Sequence, residues 1–147
     1  MHADALHPWR CRRIARQQVS LVGQPRTSAK PFCFPEDVQG LNLILPSHES
    51  ELRGAFDLLC EQHQLHITAL AEVDDMAMVR VLARASAAPA VVPTVVVRDE
   101  LRDGTLEEYC RLPGLWENFF AINLKRQYEH PLIGELFARS DSELLAR

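Results

Sequence analysis

The sequence predicts an α/β fold with a mainly parallel sheet covered by helices on both faces. Three observations carry that expectation. Short apolar runs at 41–45, 67–73 and 88–92 alternate with amphipathic segments of helical period, which is the order of strand-helix-strand units. Breakers stand between them: Gly40, Pro46, Pro93 and Gly104. A chain of 147 residues, 47% hydrophobic and 24% charged, is long and apolar enough to bury one ordinary core.

The first 40 residues hold Pro8, Pro25, Pro31 and Pro35 around one extended candidate, 17–22, which Gly23 ends. They read as a strand followed by connecting loops. Leu41, Leu43, Ile44 and Leu45, closed by Pro46, form a buried strand. Ser50 then stands where it caps a helix whose positions Leu52, Ala55, Phe56, Leu59, Cys60 and His63 recur at helical spacing. After a break at Gln64, Ile67, Ala69, Ala71 and Val73 alternate with His66, Thr68, Leu70 and Glu72. A period of two places that apolar row against a core.

Asp74 or Asp75 supplies the next N-cap, and Met76, Val79, Leu82, Ala83 and Ser86 make the next helical stripe. Residues 88–92 form a further strand, stopped by Pro93. Beyond it, Val95, Val96 and Val97 favour extended structure. Three signals outweigh them: Thr94 suits a helix cap, Pro93 cannot continue a ladder, and Gly104 stands where a left-handed residue closes a helix ending near Asp103. A helix is expected there. Residues 106–112 and 117–124 read as two strands joined by a turn at Pro113 and Gly114. A last helix starts at Pro131, with Leu132, Ile133, Leu136 and Phe137 on one side, and a frayed tail follows Ser140.

Composition excludes several classes. The net charge is −4, and Arg10, Arg12, Arg13 and Arg16 make a solvated edge more readily than a phosphate clamp. Nucleic acid is not this chain's own partner. Four scattered cysteines without a Cys-x-x-Cys pair, and no secretory start, fit reduced thiols in a cytoplasm. The apolar stretch 85–97 contains Pro89 and Pro93 and falls short of the roughly 20 residues a membrane span needs. No membrane is expected as a partner.

Residues 41–93 resemble the second regulatory lobe of LysR-type transcriptional regulators. The pattern is Leu-x-Leu-Ile-Leu-Pro-Ser at 41–47, a helix, a strand ending in acidic residues, and a helix leading through Ala83, Arg84 and Ala85 to Pro93. The run 95–137 is similar to that of regulators that activate sodium/proton antiporter genes. The resemblance implies a periplasmic-binding-protein-like (type 2) effector domain with its second lobe complete and its first partial. Residues 1–39 would carry a first-lobe strand and crossing loops, 40–105 the second lobe, 106–140 the return strands and last helix, and 141–147 a tail. Two departures stand out. Ser86, Ala87 and Ala88 replace the Gly-x-Gly turn of many members, and no winged helix-turn-helix is found upstream of Arg16. Met1 is then expected to lie inside a longer regulator, which alone would reach DNA.

In such a fold ligands sit outside the carboxyl ends of the parallel strands. That rule selects Pro46, Ser47 and His48, then Asp74, Asp75 and Met76, then Pro93 and Thr94 as effector-binding candidates. Amides at the helix starts near Ser50 and Met76, with the Ser47 hydroxyl, suit a small carboxylate. Plain capping explains Ser47 and Ser50 equally well and explains Asp74 and Asp75 better. Those two charges would repel an anion, which leaves an ionic or cationic effector open. The expected partners are a small-molecule or ionic effector and a second copy in a homodimer. The rival is a stand-alone small-molecule-binding module of the same fold.

Cys60, His63 and His66 are metal-ligating types three residues apart, but two lie on a helix stripe and one opens a strand. Packing is the better reading, and neither a metal nor another cofactor is expected. Ser47, His48 and Glu49 are hydrolase types in adjacent positions, where side chains diverge. No enzymatic use is expected. Trp9, Trp116, Phe119 and Phe120 are of types that line pockets, but aromatic residues in strands are more often core, and they read as core.

Overall fold

The computed structural model describes residues 9–124, Tyr128 and residues 130–139. It divides into two units. One comprises residues 17–117; the other takes the described residues up to Arg16 and from Asn118 onward.

The sheet has five strands in the order β3-β2-β4-β1-β5. These are β1 (Trp9–Gly23), β2 (Asn42–Pro46), β3 (Thr68–Val73), β4 (Ala90–Pro93) and β5 (Glu107–Leu124). Strands β3, β2 and β4 are parallel, while β1 joins β4 antiparallel, with Val19 opposite Pro93 and Val22 opposite Ala90. The parallel part is therefore the strand-helix-strand segment that the sequence pattern indicates.

Within residues 17–117 the sheet is covered on both faces, and the period of two sorts its side chains. Val19, Leu21, Leu43, Leu45 and Val91 pack with Leu52, Phe56, Leu59 and Cys60 of helix α1 (Glu51–Gln62). Val22, Ile44, Ala90 and Val92 pack on the other face with Val79 and Ala83 of helix α2 (Met76–Ala85). Adjacent strand residues thus serve opposite cores. Both helices start as their sequences indicate: the Ser50 hydroxyl accepts from the Arg53 amide at 3.0 Å, and the Asp75 carboxylate from the Ala77 amide at 2.9 Å.

Several expectations are corrected. β1 begins by Trp9, not at residue 17; the four arginines among residues 10–16 hid an extended segment. The apolar row of β3 does not share one face. A register shift between Leu43 and Ile44 leaves Leu70 unpaired between Ala69 and Ala71, so Ile67 packs on the α1 side and Val73 on the α2 side. Thr94 caps no helix. Residues Thr94–Val97 form a 3₁₀ turn leading into α3 (Arg98–Asp103), which Gly104 closes at φ 79°. The expected helix is present, with the valines in its tighter first turn.

The expected turn at Pro113 and Gly114 is absent as a chain reversal. β5 continues through it as one strand, and Gly114 at φ 71° takes a backbone conformation that only glycine adopts cheaply. Ser20 bonds Glu108, and Gln18 bonds the carbonyls of Leu112 and Leu115, so β5 ascends as β1 descends. The last helix, α4 (Pro131–Ala138), has Pro131 in its first turn, but among its residues only Phe137 is buried while Leu132 and Leu136 are exposed. Phe137 lies under the Arg10 guanidinium, 4.5 Å from it, and its carbonyl accepts from Arg12. The expected tail after Ser140 lies outside the described residues.

Candidate functional site at the carboxyl ends of the parallel strands

The register places the ends of the parallel strands side by side. Leu45 is level with Glu72 and Pro46 with Val73, and the Ser47 amide donates to the Val73 carbonyl at 3.1 Å. The loops after β2 and β3 are thereby tied together. With Ile44 opposite Ala90, β4 ends at the same edge, and its exit carries Pro93 and Thr94. Gln17 of antiparallel β1 arrives there too: the Thr94 hydroxyl donates to its amide oxygen at 3.4 Å.

The eight candidates fall into distinct environments along that edge. Pro46 and Pro93 are buried strand residues, and Met76 packs against both cores. Asp75 is the α2 cap. Ser47, His48 and Asp74 are the loop residues, with His48 and Asp74 exposed. Ser50 is the α1 cap and also donates its hydroxyl to the Ser47 carbonyl at 3.1 Å. This leaves the Ser47 side chain apart from the capping that Ser50 performs.

Sequence reasoning missed Arg53, the strongest charge at this edge. Its side chain is only 7% exposed, yet its guanidinium donates to the Pro46 carbonyl at 2.9 Å, to Asp57 at 2.9 Å and to Glu72 at 3.2 Å. One buried cation thus ties the end of β2 to α1 and β3. Its pairing with Asp57 four residues on was a legible signal, masked because Leu52 and Phe56 defined the stripe beside it. Glu72 also receives His48 Nε2 at 2.8 Å. Arg53 and Glu72 compensate one another, which leaves Asp74 and the α2 cap Asp75 as the exposed acids at the edge not paired with Arg53.

The thiol and imidazole trio is not gathered. Cys60 is buried, and that burial, with the Asp57 charge adding, pushes its thiol up to about 11. His63 is exposed and meets Phe34 edge-on at 5.0 Å between ring centroids, while His66 is exposed before β3, its amide held by Gln39 at 2.7 Å. Among the described residues no three His, Cys, Asp or Glu side chains are grouped to hold a metal ion. None of the described helices is long and apolar enough to cross a membrane. Trp9, Trp116 and Phe120, read as core, are instead exposed. Elsewhere, an open hollow of about 420 Å³ lies against Pro25, Leu101, Gly104, Leu106, Glu107 and Glu108. It sits where β5 starts, away from the edge that gathers the candidates.

Comparison with known proteins accounts for this arrangement. Residues 3–143 match the family described as LysR substrate binding domain. The transcriptional activator protein NhaR of Escherichia coli, and that of Shigella flexneri, are 27% identical over 100 residues, which is 68% of this chain and 33% of theirs. The chain therefore spans about a third of the length of the curated relatives it matches. The fold is that of solved regulators. DarR of Vibrio fischeri, in complex with DNA, superposes with a TM-score of 0.68 at 16% identity, over 97% of this chain and 47% of its own. The bromide-bound regulatory domain of HypT from Salmonella typhimurium gives 0.64 at 17%, over 99% of this chain and 69% of that one. These neighbours are transcriptional regulators, not enzymes. With nearly its whole length matched, the chain belongs to the LysR substrate-binding domain family.

Proposed function

We propose that this chain is the effector-sensing region of a LysR-type transcriptional regulator, and that its effector is small and ionic. The observation that carries the reading is the shared carboxyl edge of β2, β3 and β4, where Ser47, His48, Asp74 and Thr94 meet two helix N-termini. The exposed carboxylates of Asp74 and Asp75 favour a cation at that edge. Pro46, Met76, Pro93 and Asp75 would shape the site through backbone and packing, and Ser47 with His48 would supply the polar contacts.

The proposed mechanism is differential binding. An effector that fits one arrangement of the lobes better than another shifts their equilibrium by its difference in affinity. On this reading residues 40–105 form one lobe, and 1–39 with 106–140 contribute to the other. A homodimer would pass the preference to a DNA-binding region in the longer protein, as the DNA complex of DarR suggests by analogy.

Thermal unfolding of the purified chain tests the reading, with sodium chloride against choline chloride at matched ionic strength and with acetate, succinate and citrate. A cooperative transition raised by sodium and not choline supports a cationic effector. A shift with one carboxylate alone favours the second reading, an anion on the amides opening α1 and α2. The bromide-bound state of the HypT regulatory domain supports that second reading. A transition unmoved by every probe contradicts both.

A further inference from the structure

The open hollow of about 420 Å³ beside the start of β5 is built from three segments of residues 17–117. Pro25 comes from the loop that leaves β1, Leu101 and Gly104 from α3 and its close, and Leu106, Glu107 and Glu108 from the entry to β5. Its volume falls in the range of small-molecule sites, roughly 300–1,000 Å³. Leu106 is buried and Leu101 packs against the α2-side core, so the hollow has an apolar wall. Its two carboxylates are unlike. Glu107 is spent: Oε2 accepts from the Arg26 amide at 2.7 Å and Oε1 from the Arg26 guanidinium at 3.3 Å. Glu108 is held through Oε1, which accepts from the hydroxyl of fully buried Ser20 at 2.7 Å. A hydroxyl brings no charge. The ion pair of Glu108 is with Arg111 at 3.7 Å, whose side chain is 78% exposed, and so loose a surface pair is worth little. No described residue bonds Glu108 Oε2.

We propose that this hollow binds a small primary alkylammonium ion, with its N–H groups on Glu108 and its chain against Pro25, Leu101 and Leu106. The chemistry selects that ligand. A carboxylate pinned by a buried hydroxyl, with one oxygen left over, takes a charge-assisted hydrogen bond, and the apolar wall takes the alkyl chain. An anion is repelled by the two carboxylates. A quaternary ammonium has no N–H to donate and meets no aromatic ring among the lining residues. A bare metal ion needs several oxygens where one is left over. The bound amine braces the exits of β1 and α3 against the entry to β5. All of these belong to residues 17–117, and the proposal stands whether or not the effector reading does.

Thermal unfolding of the purified chain with n-butylammonium chloride tests it, against tetramethylammonium chloride at matched ionic strength, with amide hydrogen exchange under both. The expected result is a transition raised by n-butylammonium and not by tetramethylammonium, with slower exchange at 104–109. Glu108→Gln keeps an acceptor for Ser20 and loses the charge, so it is expected to weaken the amine by about tenfold or more. Its own melting transition without ligand checks that it folds. Glu61→Gln, which removes an exposed carboxylate near the end of α1, is expected to leave the affinity unchanged. A transition unmoved by n-butylammonium overturns the proposal, as does an equal response to tetramethylammonium or an undiminished response in Glu108→Gln. A shift that Asp74→Asn removes and Glu108→Gln keeps would put the amine at the carboxyl edge instead, and overturns it too.

Discussion

The two units of this chain use the same strand chemistry to opposite ends. Residues 17–117 sort Leu43, Ile44 and Leu45 to alternate faces and cover both with helices, so that Val19, Val22, Phe56 and Val91 are fully buried. The other unit carries the outer halves of the same long strands β1 and β5, yet among its described residues only Ala15 and Phe137 are buried apolar groups. Its Trp9, Phe120, Ile122 and Leu132 are more than half exposed. An alternating strand specifies a face; only a covering element turns that face into a core.

The contrast predicts very different costs for similar substitutions. Phe56→Ala is expected to destabilise residues 17–117 by about 3–5 kcal/mol, since it empties the centre of the α1 core. Phe137→Ala, in the sparsely buried unit, is expected to leave the urea midpoint of 17–117 nearly unchanged. Equal losses from the two would dissolve the distinction between the units. Next in size is the ion pair between Arg80 of α2 and Glu100 of α3, whose carboxylate is 4% exposed and also lies 4.0 Å from Arg84. Arg80→Met strands a buried charge and is expected to cost about 2 kcal/mol, less than a fully buried pair because Arg84 remains. Glu100→Gln should cost less, because the arginines it frees can reach water.

Removal of the α1 cap by Ser50→Ala is expected to cost about 1 kcal/mol. Amide exchange should then accelerate first at 51–54, sharpening the view of Ser50 as a cap and Ser47 as the neighbour available to a ligand. The smallest effect concerns Glu117. Burial, with the Glu51 charge adding, raises its carboxyl above the usual range. A raised folded value means the folded state holds the proton more tightly, so this contribution is present in acid and lost as pH rises through the raised value. Glu117→Gln is therefore expected to be more stable than the parent near neutrality and no more stable in acid. Urea midpoints over that range check the sign.

The covered unit was the legible one. Short apolar runs closed by proline, helical stripes, Ser50, Asp75 and Gly104 marked β2, α1, α2, β4 and α3 because each local preference agrees with its tertiary setting. Where two demands compete, single-sequence pattern failed. Arg10 to Arg16 read as solvated edge although their backbone is strand, Leu70 reversed the face of β3 by one unpaired residue, and Gly114 sits inside a strand instead of ending it. The edge of the candidate site followed from topology alone, since strand ends are fixed by strand order. Arg53 did not, because the i,i+4 partner Asp57 marks only a helix-surface pair, whereas the contacts that make it part of the edge are a backbone carbonyl, Pro46, and Glu72 on the next strand.

The most direct measurement is amide hydrogen exchange of the purified chain with sodium chloride against choline chloride, and with each small carboxylate. An effector at the carboxyl edge should slow exchange together at 47–53 and 75–79, leaving the amides around Leu101 and Leu106 unchanged. Protection confined to that second region, or none with any of these probes, would contradict an effector site on the edge formed by β2, β3 and β4.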